Sequence, residues 1–190
     1  METKPRKICF VGAPSTGKST LAKLLTEELI KNNYSVEFVG EFARDFIIEH
    51  GAINSPQDQL SIHRVQREKE KLACSRNPEF VVCDTPSFLS HIYFDFLKDK
   101  IPDKNQTEEL NKSEKEIRQE INNEINSYEF VFFLSPEFPT QKDGIRLYTD
   151  DVEEISNRMR GFLSFHNVKH HELKGTVKDR AGKALKIILS

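Results

Sequence analysis

The most constraining feature of this chain is the run Gly12-Ala13-Pro14-Ser15-Thr16-Gly17-Lys18-Ser19, which fits the spacing G-x-x-x-x-G-K-[ST]. Ile8-Cys9-Phe10-Val11 before it is short and apolar, as a buried parallel strand is. Ser19 to Lys31 after it sets Leu21, Leu24, Leu25 and Leu29 on one face of a helix. Strand, tight loop and helix in that order make a phosphate cradle. The glycines let the loop curl with its N–H groups inward, and the helix N-terminus adds a positive end. In such a loop Lys18 reaches the β- and γ-phosphates and the Ser19 hydroxyl ligates Mg²⁺. Gly12, Ser15, Thr16, Gly17 and Thr20 complete the expected binding set for ATP or GTP. A random chain of this length carries the pattern well under about 1% of the time.

The rest of the chain alternates in the same way. Strands are expected at Val36–Val39, Phe80–Cys83, Phe130–Leu134 and Val168–Leu173. Helices are expected at Phe42–His50, Pro56–Ser75 and Phe88–Leu97, around Val152, Ile155, Met159, Phe162 and Leu163, and after the capping pair Thr176 and Asp179. Lys98 to Gln106 reads as a loop. Thr107 with Glu108 and Glu109 then reads as a helix start, followed by a stripe of Leu110, Ile117, Ile121 and Ile125. This alternation predicts an α/β fold, a P-loop NTPase with a five-stranded parallel sheet and helices on both faces. One domain spanning 1–190 is expected, with a polar, mostly helical insertion over 98–127 and a lid-like loop over 135–149.

Composition narrows the partners. Charged residues are 31% of the chain and the net charge is −2, so nothing drives the molecule toward nucleic acid or anionic lipid. No apolar run approaches the roughly 20 residues of a membrane span, and the N-terminus does not read as a secretory signal. Cys9, Cys74 and Cys83 show neither disulfide nor metal spacing, which points to a reducing cytoplasm. The sequence does not define an oligomeric state.

Four further groups extend the site. Asp84 ends the third strand, where an acid holds the Mg²⁺ shell beside the phosphates. Glu41 and Arg44 follow the second strand three residues apart, on one helical face. The acid is placed to take a proton from an acceptor hydroxyl and the Arg to fix the acceptor or a phosphate. Glu41 is the expected base, with Asp84 the alternative. Asp143-Gly144-Ile145-Arg146 lies in the lid-like loop, from which Arg146 would meet the transferring phosphoryl group; Arg158 and Arg160 are second candidates. Of His63, Arg64, Gln66 and Arg67, one or two are expected at the acceptor pocket and most in solvent; Gln66 is the substrate-side choice. His170 and His171 read as structural.

Taken together these pieces resemble the ribosylnicotinamide kinase domain of the NadR family. The resemblance rests on Gly12 to Leu21, on Gly40-Glu41-Phe42-Ala43-Arg44-Asp45-Phe46, on Gln66-Arg67, on Cys83-Asp84-Thr85 and on Asp143-Gly144-Ile145-Arg146, in the family's order. It implies a nucleoside-kinase-like fold that phosphorylates the 5′-hydroxyl of ribosylnicotinamide with ATP and Mg²⁺. Three departures stand out: Pro86 where the family has a second acid, Val39-Gly40 before the Glu in place of an aromatic, and the length of the Lys98–Asn126 segment. No HxGH sequence of a nucleotidyltransferase occurs. The competing expectations are a polynucleotide 5′-kinase and a nucleotide-regulated binding protein without kinase turnover.

Overall fold

A computed structural model describes residues 4–100, 108–119, 121–137, 148 and 150–190. The described elements run β1 (Arg6–Val11), α1 (Lys18–Lys31), β2 (Val36–Val39), α2 (Phe42–His50), α3 (Pro56–Ser75), β3 (Phe80–Cys83), α4 (Leu89–Lys100), α5 (Glu108–Arg118), α6 (Ile121–Ile125), β4 (Phe130–Leu134), α7 (Val152–Phe165), β5 (His171–Leu173) and α8 (Val177–Leu189). The five strands form one sheet in the order β2-β3-β1-β4-β5, parallel at every pairing. This is the expected sheet. The chain crosses from one side of β1 to the other between β3 and β4, so the carboxyl end of β1 is a topological switch point, where open α/β sheets bind ligands.

Strand residues alternate between two cores, as the period of 2 requires. Cys9, Val11, Val81, Cys83, Val131 and Phe133 pack with Phe46, Ile62, Ile92, Ile155, Met159 and Leu163 on one face. Ile8, Phe10, Val82, Phe132 and Leu134 pack with Leu21, Leu25, Ala184 and Ile188 on the other. Helix α5 brings Leu110 and Ile117 onto Leu60 and Phe94 in a small separate cluster.

Two boundaries differ from expectation. Helix α4 continues through Lys100, where a loop was expected from Lys98. Its last basic residues find acids on neighbouring helices, Lys98 with Glu114 and Lys100 with Asp151, and cations in a last turn suit the helix dipole. Strand β5 begins at His171 rather than Val168, because the Val168 N–H donates to Leu163 O at 2.8 Å and closes α7 instead of joining the ladder.

A buried ion pair ties the sheet to α3. Lys7 Nζ lies 2.7 Å from Glu70 Oε2 and donates to Ser127 Oγ at 3.0 Å. Glu70 also accepts from Tyr128 OH at 2.5 Å and from the Ser87 N–H at 2.9 Å. Burial pulls the Lys7 ammonium down, but Glu70 outweighs it and holds its pKa above the usual value. Removing one partner of such a pair strands the other charge. Glu70→Ala is therefore expected to lower unfolding free energy by about 3–5 kcal/mol, read as a shift of the urea midpoint. Glu70→Gln, which keeps the hydrogen-bond acceptor, is expected to cost less.

Candidate active site

The loop after β1 is built around a close approach. A Cβ at Gly12 would meet Leu134 O and Thr16 Oγ1, each at 2.7 Å, so only glycine fits between β1 and β4 here. Gly17 caps α1 with φ 89° and Ser15 takes φ 64°, the left-handed geometry that turns successive amides to one side. The Thr16 hydroxyl donates to Ala13 O at 2.9 Å and locks the turn from inside. Lys18 Nζ lies over the loop, donating to Gly12 O at 2.8 Å and Ala13 O at 3.1 Å.

A cleft of about 550 Å³ opens on this loop. Its lining includes Ser15, Thr16, Gly17, Lys18, Ser19 and Thr20 from the loop side. Glu41, Arg44 and Gln66 line it as well. All nine were expected at the site from sequence. Gly12 lies beneath the loop, fully buried, and Asp84 is buried at the end of β3. Asp143 and Arg146, with most of the lid-like loop, fall outside the described residues.

Asp84 is 4% exposed, and its Oδ1 is buried without a hydrogen-bond partner. Burial pushes its carboxyl upward, against the pull of the Ser19 hydroxyl, Lys18, Arg44 and Lys23 around it. Ser15 Oγ and Thr85 Oγ1 are also buried without partners. Unsatisfied oxygens beside a glycine-walled cradle, with Lys18, Lys23 and Arg44 lining the cleft, fit a phosphate group and a hard divalent cation.

The Glu41 side of the cleft is fixed by the backbone. The Asp84 N–H donates to Val39 O at 2.9 Å, bringing the ends of β2 and β3 together. Glu41 then serves as the residue before α2. Gln66, reaching across from α3, accepts from the Phe42 N–H at 2.9 Å and donates to Thr85 O at 3.0 Å. The amide thus sets the spacing between the start of α2 and the segment after Asp84. Tyr93, Leu89, Ile62 and Tyr148 supply apolar and aromatic wall, and Tyr148 OH donates to Ile53 O at 2.9 Å. The two reserve arginines lie elsewhere. Arg158 pairs with Asp99 and Glu154, and Arg160 with Glu172; neither lines the cleft.

Sequence reasoning missed Arg180. This side chain of α8 is 1% exposed and donates from Nη1 to Thr16 O at 2.8 Å and from Nη2 to Glu137 Oε2 at 2.9 Å. It supports the phosphate loop from behind. The signal was present: position 180 shares the inward stripe of Ala184 and Ile188. His63, one of four residues of which most were expected in solvent, is buried and bonds to Glu124. Arg180→Ala is expected to destabilise the fold by about 2–3 kcal/mol through the carbonyl it abandons. It should also weaken triphosphate binding, so urea unfolding and nucleotide affinity should fall together.

Among solved structures, a NadR protein in complex with NR superposes with TM-score 0.67 at 17% identity, covering 97% of this chain and 50% of that one. The present chain therefore spans half the length of that relative. Thymidylate kinase from Ehrlichia chaffeensis matches with TM-score 0.66 at 16% identity, covering 99% of this chain and 100% of that one. Deoxyadenosine kinase from M. mycoides with bound dATP matches with TM-score 0.63 at 12% identity, over 97% and 100% of the two chains. These likenesses establish the fold. No curated protein matches the sequence. A family model described as an AAA domain matches residues 7–180, and the chain belongs to that family of P-loop domains.

Proposed function

We propose that this chain is a kinase that moves the γ-phosphoryl group of ATP to the 5′-hydroxyl of a nucleoside-like acceptor, with ribosylnicotinamide the first candidate. One observation carries the reading: a single cleft of about 550 Å³ is lined both by the phosphate loop and by Glu41, Arg44 and Gln66. A triphosphate site alone needs no carboxylate, arginine and aromatic wall beside it. The shared fold with a NadR protein solved with NR, and the motif resemblance, support the choice of acceptor.

In this reading the acceptor oxygen bonds to the γ-phosphorus as the bond to the β-phosphate oxygen breaks, and the acceptor's proton passes to Glu41. Lys18 and the N–H groups of residues 15 to 20 hold the phosphates and meet the charge on the leaving oxygens. Arg44 orients the acceptor. Gln66 keeps Glu41 and Asp84 at a fixed spacing through its bonds to Phe42 and Thr85. A magnesium ion, held by Ser19 and Asp84, would supply charge compensation. Glu41, which lines the cleft, is preferred as the base over Asp84, which is buried at the end of β3 beside Ser19. Arg146, outside the described residues, is proposed to approach the γ-phosphate from its loop.

The deciding experiment incubates the protein with Mg-ATP and a panel of ribosylnicotinamide, nucleosides, nucleotides and 5′-hydroxyl oligonucleotides. Phosphorylated ribosylnicotinamide is expected. Transfer to oligonucleotides alone would make it a polynucleotide kinase, and tight nucleotide binding with no transfer would make it a regulated binding protein. Lys18→Ala is expected to remove turnover and weaken triphosphate binding in a protein whose circular dichroism and melting are unchanged. Glu41→Gln keeps shape and loses the base, so turnover should fall by roughly 10²–10⁴ with ATP affinity intact. A loss of only a few-fold would move the base elsewhere.

A further inference from the structure

Behind the cleft, α3, α4 and α6 bring three ligand-type side chains together. His63, His91 and Glu124 are each buried, and one ligand atom from each lies within 4.8 Å of the other two. Among the described residues this is the one cluster of its kind. His63 Nε2 is 2.8 Å from Glu124 Oε1, and His91 Nε2 is 3.5 Å from Glu124 Oε2. Ligand atoms around a tetrahedral zinc ion, with bonds of about 2.0–2.1 Å, stand about 3.3 Å apart. The observed pairs bracket that separation.

His91 is the informative member. It is 1% exposed, and both of its ring nitrogens are buried without a hydrogen bond. The ring is held in place by its neighbours, edge-on to His63 at 5.1 Å and tilted over Phe162 at 6.4 Å. A buried imidazole with nothing at Nδ1 and only a 3.5 Å approach to Glu124 at Nε2 is poorly served by protein groups alone. A metal bond to Nε2 would satisfy it. Burial lowers the His91 pKa despite Glu124 beside it, which keeps the ring in its neutral, ligating form. Ser87 Oγ, 3.4 Å from Glu124 Oε2, is the outer partner that such carboxylate ligands commonly have. One cation already competes for the carboxylate: Arg67 Nε lies 3.6 Å from Glu124 Oε1. Arg67 and His63 also line a recess with Arg64, Glu68, Glu116 and Gln119, which gives solvent a way in.

We propose that His63, His91 and Glu124 bind a single transition-metal ion of the Zn²⁺ class, with a water in the fourth position, and that the ion fastens α6 to α3 and α4. The site is separate from the Ser19 and Asp84 pair and does not depend on the kinase reading. Binding displaces Arg67 from the carboxylate, moves the proton of His63 from Nε2, where it bridges to Glu124, to Nδ1 or to solvent, and needs no redox change.

The test uses the full chain, stripped with a chelator and titrated with Co²⁺, whose visible absorption reports coordination number. One equivalent is expected to give a four-coordinate spectrum that Zn²⁺ abolishes and Mg²⁺ does not. His91→Gln and Glu124→Gln should weaken Co²⁺ at least about 100-fold, since even outer partners of a metal site are worth roughly 10–100-fold. Arg67→Gln should tighten it, because a competing charge is gone. Asp84→Asn should leave the spectrum as it is. Absence of a four-coordinate spectrum in the parent protein overturns the proposal, and so does its survival in both folded ligand variants. If neither ligand variant folds, unchanged or weaker binding in Arg67→Gln overturns it instead.

Discussion

The turn out of β1 runs so close to β4 that a Cβ at Gly12 would stand 2.7 Å from the Leu134 carbonyl, and the layout of the site follows from that approach. The loop leaves the sheet where β4 lies directly beside β1, so the residue at position 12 must be small enough to pass Leu134. The loop then enters α1 through Gly17, whose φ of 89° points the following amides at the cleft. The same tightness leaves the Thr16 carbonyl facing backward. Arg180 meets it from α8, so the last helix of the chain takes part in shaping the first loop.

Helix α3 is the second organising element, and it works through a polar face. Gln59, His63, Gln66 and Glu70 follow one another at steps of four, three and four residues, and all are buried. Each turn of this stripe has its own task. Gln59 lines the cleft, His63 meets Glu124, Gln66 ties α2 to the segment after β3, and Glu70 receives Lys7, Tyr128 and Ser87. Buried polar groups of this kind are costly unless satisfied, so the stripe rigidly specifies how α3 sits on the sheet. The Glu41 side of the cleft inherits that rigidity through Gln66.

The sheet, its order of elements and the phosphate loop were legible because they are written in apolar period and glycine spacing. Strands such as Phe80–Cys83 and Phe130–Leu134 are continuous apolar runs bounded by polar residues, and each lies where its pattern puts it. Apart from Gln66, the α3 stripe was not legible, for the converse reason. Its inward residues are Gln, His and Glu, and a search for apolar periodicity reads such a helix as solvated although its polar residues carry the same period. Arg180 escaped in the same way, as one guanidinium on an otherwise apolar face. The start of β5 was placed too early because Val168 looks like a strand residue, while its N–H is taken by Leu163 O. Local pattern ranks residues by burial; it does not say which buried polar groups will find one another across 40 or 60 positions.

Three buried carboxylates show how the fold separates structural charge from functional charge. Glu70 has an ammonium, a phenol and a backbone N–H around it. Burial raises the Glu124 carboxyl, yet His63 and His91 outweigh it and hold its pKa at about 2, so this acid is firmly ionised. Asp84 differs from both. Its Oδ1 has no hydrogen bond, burial pushes its carboxyl up, and the cations that oppose this, Lys18, Lys23 and Arg44, all line the cleft rather than the core. A buried carboxylate whose compensation comes only from side chains facing a cavity is incomplete as a structural ion pair. In the proposed reading its partners would redistribute as phosphates draw Lys18 toward them, and a hard cation would restore the balance at Oδ1. The contrast sets Glu70, which holds α3 on the sheet, apart from Asp84 at the end of β3, and it supports the ligand role proposed for Asp84.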